Sequence, residues 1–309
     1  MLKNLLSIND LDKDEMEQVF KTAESFKEVA AREIKKVPTL RGRTIINLFL
    51  EPSTRTRTSF ELAAKRLSAD VVNISAKSSA LAKGESLEDT AKTIEAMNAD
   101  IVVIRHSASG SPQLLANLIK SGIINAGDGA HEHPTQALLD LFTVRERKGK
   151  IKGLKVAIVG DISHSRVARS NILAFNKMGA KVIVVGPPTL MPADIELMDV
   201  EVSYDFDETI RKVDIVYMLR IQLERQNESF FPSLREYSSL FGLNLERMKS
   251  AKDNVLIMHP GPMNRGIEIT SEVANLPQAA INEQVTNGVA IRMAVLYHLL
   301  IGGEEKLAT

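Results

Sequence analysis

The stretch TIINLFLEPSTRTRTSF, residues 44–60, decides the fold. Its opening, TIINLFL at 44–50, is a short apolar, β-branched run that reads as a strand. Residues 54–68 then read as a helix, with Phe60, Ala64 and Leu67 as its buried stripe. The same alternation continues through a helical stretch at 86–98 into IVVI at 101–104. Strands alternating with helices predict a parallel sheet covered on both faces. Upstream, apolar residues recur at Met16, Val19, Phe20, Ala23, Phe26 and Val29, the spacing of a one-sided helix, with Asn9 and Asp10 as its candidate caps.

Downstream, the polar segment ERKGKIKG at 146–153 comes after a helix that begins near Pro134 and precedes a fresh strand, LKVAIVG. It marks a domain boundary. The second half repeats the alternation, with strands expected at 154–159, 181–185, 213–219 and 254–258. The expected fold class is therefore α/β, in two domains, each a parallel sheet covered by helices, over residues 1–148 and 149–283. A final amphipathic helix, from about Glu283 to Leu300, falls in 284–309; its periodicity does not say which domain it packs on, and packing back on the first domain is the expectation.

Length supports the division, because 309 residues exceed one compact domain and suit two of roughly 150 each. Lys plus Arg equals Asp plus Glu at 39 each. No global field then favours nucleic acid, and any anion site must be built from a few placed cations. The chain has no cysteine, which excludes a disulfide framework, a thiolate metal site and a cysteine nucleophile, and fits a reducing cytoplasm. Residues 1–30 never give the apolar run of a signal peptide or membrane span, so a soluble, unprocessed protein is expected.

In open parallel sheets ligands sit beyond the carboxyl ends of the strands, so the residues after each strand matter most. They share a chemistry. Strand 44–50 leads into EPSTRTRTSF, 101–104 into Arg105 and His106, 154–159 into GDISHSR, 213–219 into Arg220, and 254–258 into HPGP. Ser53 or Thr54 is placed to cap the next helix, and Arg55, hydroxyls and helix amides converge there in a way that suits a phosphate. In GDGAHEHPTQALLDLF at 127–142, Pro134 fits the first helical position. His133 then sits at the cap with Gln136 on the same face. A helix N-terminus disfavours imidazolium, so a neutral His133 is suited to donate to a carbonyl oxygen. Arg166, with Arg220 and Gln222 in YMLRIQLER, looks like a dicarboxylate clamp, since guanidinium forks match carboxylates. Each feature alone has a plainer reading, as a capped helix, a structural histidine or a solvated arginine; together they are harder to dismiss.

Taken in order, EPSTRTRTSFE, KGESLEDT, RH, GDG..HPTQALLDLFT, GDI.HSRVARS, LRIQLER and HPGPMNRG resemble the motifs of the aspartate/ornithine carbamoyltransferase family over nearly the whole chain. STRTR with HPTQ marks the family at large, and LRIQ.ER with HPGP.NRG marks its aspartate branch. The resemblance implies transfer of a carbamoyl group from carbamoyl phosphate to the amine of L-aspartate, an early step of pyrimidine biosynthesis. It assigns carbamoyl phosphate to Ser53, Thr54, Arg55, Thr56, Arg105, His133 and Gln136, with backbone contacts from Pro260 and Gly261. Ser79 and Lys83 resemble residues that a neighbouring subunit inserts, Lys83 also toward aspartate, which implies a homotrimer with shared sites. Arg166, Arg220 and Gln222 are the implied aspartate clamp; Arg55, Thr56, Lys83, Arg105 and His133 are the implied catalytic set. No cofactor and no metal are implied. A regulatory chain or another pyrimidine enzyme is a possible partner.

One departure stands out: many relatives carry Gln where this chain has Glu132. A carboxylate there would favour imidazolium at His133 and oppose the helix effect. Ornithine as acceptor is disfavoured, because its branch usually carries a cysteine in HCLP, whereas this chain reads HPGP and has Arg220. A nicotinamide dehydrogenase is the rival from another class, but the five positions after Gly160 contain no glycine for a G-x-G-x-x-G fingerprint; a non-catalytic small-anion binding protein is the third reading that the sequence leaves open.

Overall fold

The computed structural model describes residues 3–75, 85–221 and 233–301. By contact the chain divides into two compact units, Met1–Leu139 with Thr286–Thr309, and Asp140–Val285. The first unit opens with α1 (Lys13–Ala31) and continues β1 (Thr44–Phe49), α2 (Thr54–Arg66), β2 (Asp70–Ser75), α3 (Leu87–Ala96), β3 (Ile101–His106), α4 (Ser111–Leu118) and β4 (Gly122–Asp128). Helix α5 (Pro134–Lys148) leads on to the second unit, which comprises β5 (Lys155–Val159), α6 (Arg166–Lys177), β6 (Lys181–Val185), β7 (Glu201–Ser203), α7 (Phe206–Lys212), β8 (Ile215–Met218), α8 (Leu234–Phe241), α9 (Leu245–Met248), β9 (Leu256–Met258) and α10 (Ser271–Ala274). Helix α11 (Ile281–Leu300) closes the described chain.

Both sheets are parallel throughout, in the order β2-β1-β3-β4 and β7-β6-β5-β8-β9. The sequence order reverses between β1 and β3 in one and between β5 and β8 in the other. Those are the points where a crevice opens at the carboxyl edge of such a sheet. Continuous burial explains the strands that composition reveals: Ile46, Leu48, Val102, Ile104 and Ile123 pack with Ala91, Ile94 and Leu115. In the second unit Val159, Val185, Val216 and Ile257 pack with Phe206, Ile210 and Tyr237.

One expected feature differs. Helix α1 is capped by Asp12, whose carboxylate accepts the Glu15 amide while Glu15 reaches back to Asp12. The candidate caps Asn9 and Asp10 instead belong to a short 3-10 turn, Ile8–Asp10, capped by Ser7. The contact division falls inside α5, ahead of the polar segment 146–153. The reason lies at Asp140, which is fully buried and accepts from Asn171 at 3.0 Å, Tyr217 at 2.7 Å and Gln284 at 2.7 Å. Those bonds commit the second half of α5 to the second unit.

In the first unit, Arg292 of α11 lies 5.1 Å over the Phe60 ring and donates to the Ser59 hydroxyl at 2.8 Å. Phe60 is fully buried, a contribution of roughly 1.5–3 kcal/mol, so α11 completes the cover over α2. No described helix is long and apolar enough to cross a membrane.

Candidate active site

The first unit places its polar residues where β1, β3 and β4 end. After β1, the amides of Leu50 and Glu51 donate to the Arg105 carbonyl at 2.8 and 3.3 Å, which ties the two strand ends together. Ser53 then takes the N-cap position of α2, but its hydroxyl caps no amide of that helix. The first-turn N–H groups of a helix have no partner within it, and an uncapped end directs them outward with the positive end of the dipole. Thr54 and Arg55 are exposed beside them, while Thr56 is buried.

Arg105 is held by its own surroundings. One nitrogen donates to the Ala126 carbonyl at 3.2 Å and another to Glu51 Oε1 at 2.9 Å. Glu51 gives no signal in the sequence, because its partner lies far along the chain and no local spacing connects them. Next to Arg105, His106 accepts the Ala108 amide on Nδ1 at 2.9 Å. Burial holds its pKa below the usual histidine value, against the opposing pull of Glu51 and Asp128.

The loop between β4 and α5 is organised by Asp128. Its carboxylate accepts the Gly110 amide at 2.7 Å, Asn125 Nδ2 at 2.8 Å and the Glu132 amide at 3.2 Å. Gly129 has φ +48°, and a Cβ there would fall 2.3 Å from the Ser109 hydroxyl, so only glycine allows the loop to lie against the end of β3. The loop delivers His133 to the start of α5, where its carbonyl accepts the amides of Gln136 and Ala137 at 3.0 and 3.4 Å. His133 and Gln136 are both buried, at 4% and 8% exposed.

Glu132 precedes His133 in this loop. Its carboxylate accepts the Ser7 hydroxyl at 2.5 Å and the Ile8 amide at 2.9 Å, so it is engaged by the N-terminal segment. These bonds anchor the loop that carries His133 to the 3-10 turn before α1.

The second unit repeats the design at its own switch point. Gly160 closes β5 with φ +132°, where a Cβ would lie 3.1 Å from the Tyr237 hydroxyl. Asp161 then accepts the His164 amide at 3.1 Å and shapes the turn. Ser165 caps α6 by accepting the Ala168 amide at 3.1 Å, which makes Arg166 the first helical residue, only 3% exposed. Arg220 comes after β8 and is half-buried. Pro260 and Gly261 come after β9, and the Gly261–Pro262 bond is cis. Ser79, Lys83 and Gln222 lie outside the described residues.

Two parallel α/β units, each with cationic and hydrogen-bonding residues gathered at the carboxyl edge of its sheet, define a protein built to hold small anions. Comparison with known proteins makes this specific: the chain belongs to the aspartate/ornithine carbamoyltransferase family. The model of that family's carbamoyl-P binding domain matches residues 3–146, and the model of its Asp/Orn binding domain matches 152–299. Among curated relatives, the chain is 60% identical over 303 residues to the aspartate carbamoyltransferase catalytic subunit of Syntrophus aciditrophicus, covering 98% of each chain. It is 59% identical to that of Halothermothrix orenii, covering 98% of this chain and 96% of the relative. Among solved structures it is similar to the aspartate transcarbamoylase of Trypanosoma cruzi in complex with carbamoyl phosphate and aspartate, with TM-score 0.88 and 30% identity over 95% of both chains. It is likewise similar to the catalytic subunit of M. jannaschii aspartate transcarbamoylase, with TM-score 0.85 and 35% identity over 98% and 99% of the two chains.

Proposed function

We propose that the chain transfers the carbamoyl group from carbamoyl phosphate to the amine of L-aspartate, giving N-carbamoyl-L-aspartate and phosphate. The observation that carries this reading is the gathering of the implied ligand residues at the carboxyl edges of the two sheets, in a chain whose relatives are aspartate carbamoyltransferases.

The first unit receives carbamoyl phosphate. Ser53, Thr54, Arg55 and Thr56 at the start of α2 hold the phosphate through helix amides, hydroxyls and a guanidinium. Thr56, Arg105 and His133 donate to the carbamoyl oxygen, with Gln136 beside His133; Pro260 and Gly261 are assigned backbone contacts to the carbamoyl group. As the amine attacks, charge builds on that oxygen, and each such donor is typically worth about 2.7–4 kcal/mol. The departing phosphate accepts the amine proton. The second unit receives aspartate, with Arg166 on the α-carboxylate and Arg220 and Gln222 on the side-chain carboxylate. Much of the remaining rate comes from holding two anions in an attack geometry.

Ser79 and Lys83 are assigned to the site of a neighbouring subunit in a homotrimer, and the chain works in the cytoplasm at an early step of pyrimidine biosynthesis. Mixing purified protein with carbamoyl phosphate and either aspartate or ornithine tests the reading. Phosphate release together with N-carbamoyl-L-aspartate is expected with aspartate alone; turnover that prefers ornithine, or none with aspartate, would overturn it.

A further inference from the structure

The segment after β9 contains a buried pair that the reaction as derived does not use. His259 is 1% exposed and Glu268 0%, and ring Nε2 lies 3.1 Å from Glu268 Oε1. The opposite side of the ring fixes the tautomer. The Gly261 amide donates to Nδ1 at 2.8 Å, and a backbone N–H can only donate. Nδ1 therefore carries the lone pair, and the ring proton sits on Nε2, pointing at Glu268.

The same Glu268 Oε1 accepts the Asn264 backbone amide at 2.5 Å. The Asn264 side chain in turn donates to the Ile221 carbonyl at 3.1 Å, one residue beyond Arg220. A single carboxylate oxygen thus governs two branches: through His259 it sets the Gly261 amide, and through Asn264 it braces the backbone beside Arg220. Gln284 holds the root of the arrangement by accepting the His259 amide at 3.0 Å. As a device for stability alone this would be a poor choice. Glu268 Oε2 is enclosed and accepts no hydrogen bond among the described residues, and burying a polar atom in that state costs free energy.

We propose that Glu268, acting through His259 and Asn264, is a positioning residue that locks the Gly261 amide and the backbone beside Arg220 into one geometry, so that the carbamoyl contact and the aspartate clamp are set together. This rests on the functional reading given above and adds residues to it.

Three variants of the full chain test it: Glu268→Ala, Glu268→Gln and Asn264→Ala. In Glu268→Ala the aspartate KM should rise and kcat fall, for a combined loss of about ten- to a hundredfold in kcat/KM. Direct titration of carbamoyl phosphate should show a clearly smaller loss, since only the Gly261 contact is loosened while Ser53, Thr54, Arg55, Thr56, Arg105 and His133 are untouched. Amide hydrogen exchange at Gly261 and Asn264 should accelerate in the same variant. Glu268→Gln keeps one acceptor oxygen for His259 and Asn264 and should recover most of the loss. Asn264→Ala should raise the aspartate KM with a smaller effect on kcat.

Wild-type aspartate kinetics in Glu268→Ala would overturn the proposal, as would a loss shared equally by carbamoyl phosphate affinity. Should Glu268→Ala fail to fold, Asn264→Ala decides alone, and an unchanged aspartate KM sinks the idea. If the wild-type chain makes no N-carbamoyl-L-aspartate, the functional reading fails separately, while faster exchange at Gly261 and Asn264 in Glu268→Ala, restored in Glu268→Gln, still reports whether the backbone is held as described.

Discussion

His133 and Arg220 carry the sharpest consequences of single side chains. His133 sits at the mouth of α5 with its carbonyl accepting helix amides and its side chain buried. A donor placed there works hardest as charge develops, so His133→Ala should lower kcat by about a hundredfold while carbamoyl phosphate binding changes far less. Steady-state kinetics with direct titration of carbamoyl phosphate checks this; an unchanged kcat with only a raised KM would remove His133 from the chemistry. In the proposed clamp Arg220 sets the choice of substrate. Losing one end of a desolvated charge pair often costs about 2–5 kcal/mol, so Arg220→Ala should cut kcat/KM for aspartate on the order of a hundredfold or more. Carbamoyl phosphate affinity should survive. Near wild-type aspartate kinetics would mean that Arg220 faces something else. Beside these, Glu51, Asp128 and Glu268 are silent in the sequence for a common reason. Each acts by accepting hydrogen bonds at an irregular stretch whose conformation only the fold sets, and a lone carboxylate there gives no periodic signal.

At the level of helices and strands, legibility tracks continuous runs of β-branched and apolar residues. Strands β1, β3, β5 and β6 are nearly continuous runs of Ile, Val and Leu because both of their faces are covered. Strand β2 at the edge of its sheet is largely exposed, β4 reads GIINAGD with turn-forming residues, and β7 spans only Glu201–Ser203. None of these announces itself by composition. Helix starts are misread where capping is decided by reciprocal side-chain bonds, as at Asp12 and Glu15. One such local arrangement has a measurable pH signature. Arg247, buried beneath α7, donates to Asp207 at 2.6 and 3.2 Å and lies 4.9 Å over the Phe206 ring. Its hydrogen bond holds the Asp207 carboxyl below the ordinary aspartate value. A carboxylate depressed in this way adds stability above the unfolded value of about 3.9, and loses it as pH falls through the lower folded value. Thermal midpoints of the wild type and Asp207→Asn should therefore differ by a constant amount above about pH 5 and converge at more acid pH. A gap that persists at acid pH would assign the effect to packing and not to charge.

The whole molecule is where subunits and chain order enter. If Ser79 and Lys83 serve a neighbouring subunit, then Lys83→Ala and Arg55→Ala damage different contributors to each site. Mixing the two inactive proteins under conditions of subunit exchange should restore part of the activity, because some hybrid interfaces receive an intact set. No rescue would show that each chain builds its own site. The two-unit α/β plan is legible from alternation alone, whereas the place where contacts divide the chain is not, since the bonds that commit Asp140 to the second unit come from residues as distant as Gln284. The discontinuity of the first unit bears on how the protein is made. A ribosome delivers α2 early and α11 last, and the interval between Phe60 and Arg292 takes on the order of ten seconds to a minute of elongation. During that interval the second unit, continuous from Asp140 to Val285, emerges whole. The nascent first unit meanwhile waits with α2 uncovered, a window in which a chaperone that shields apolar helix faces would find its binding site.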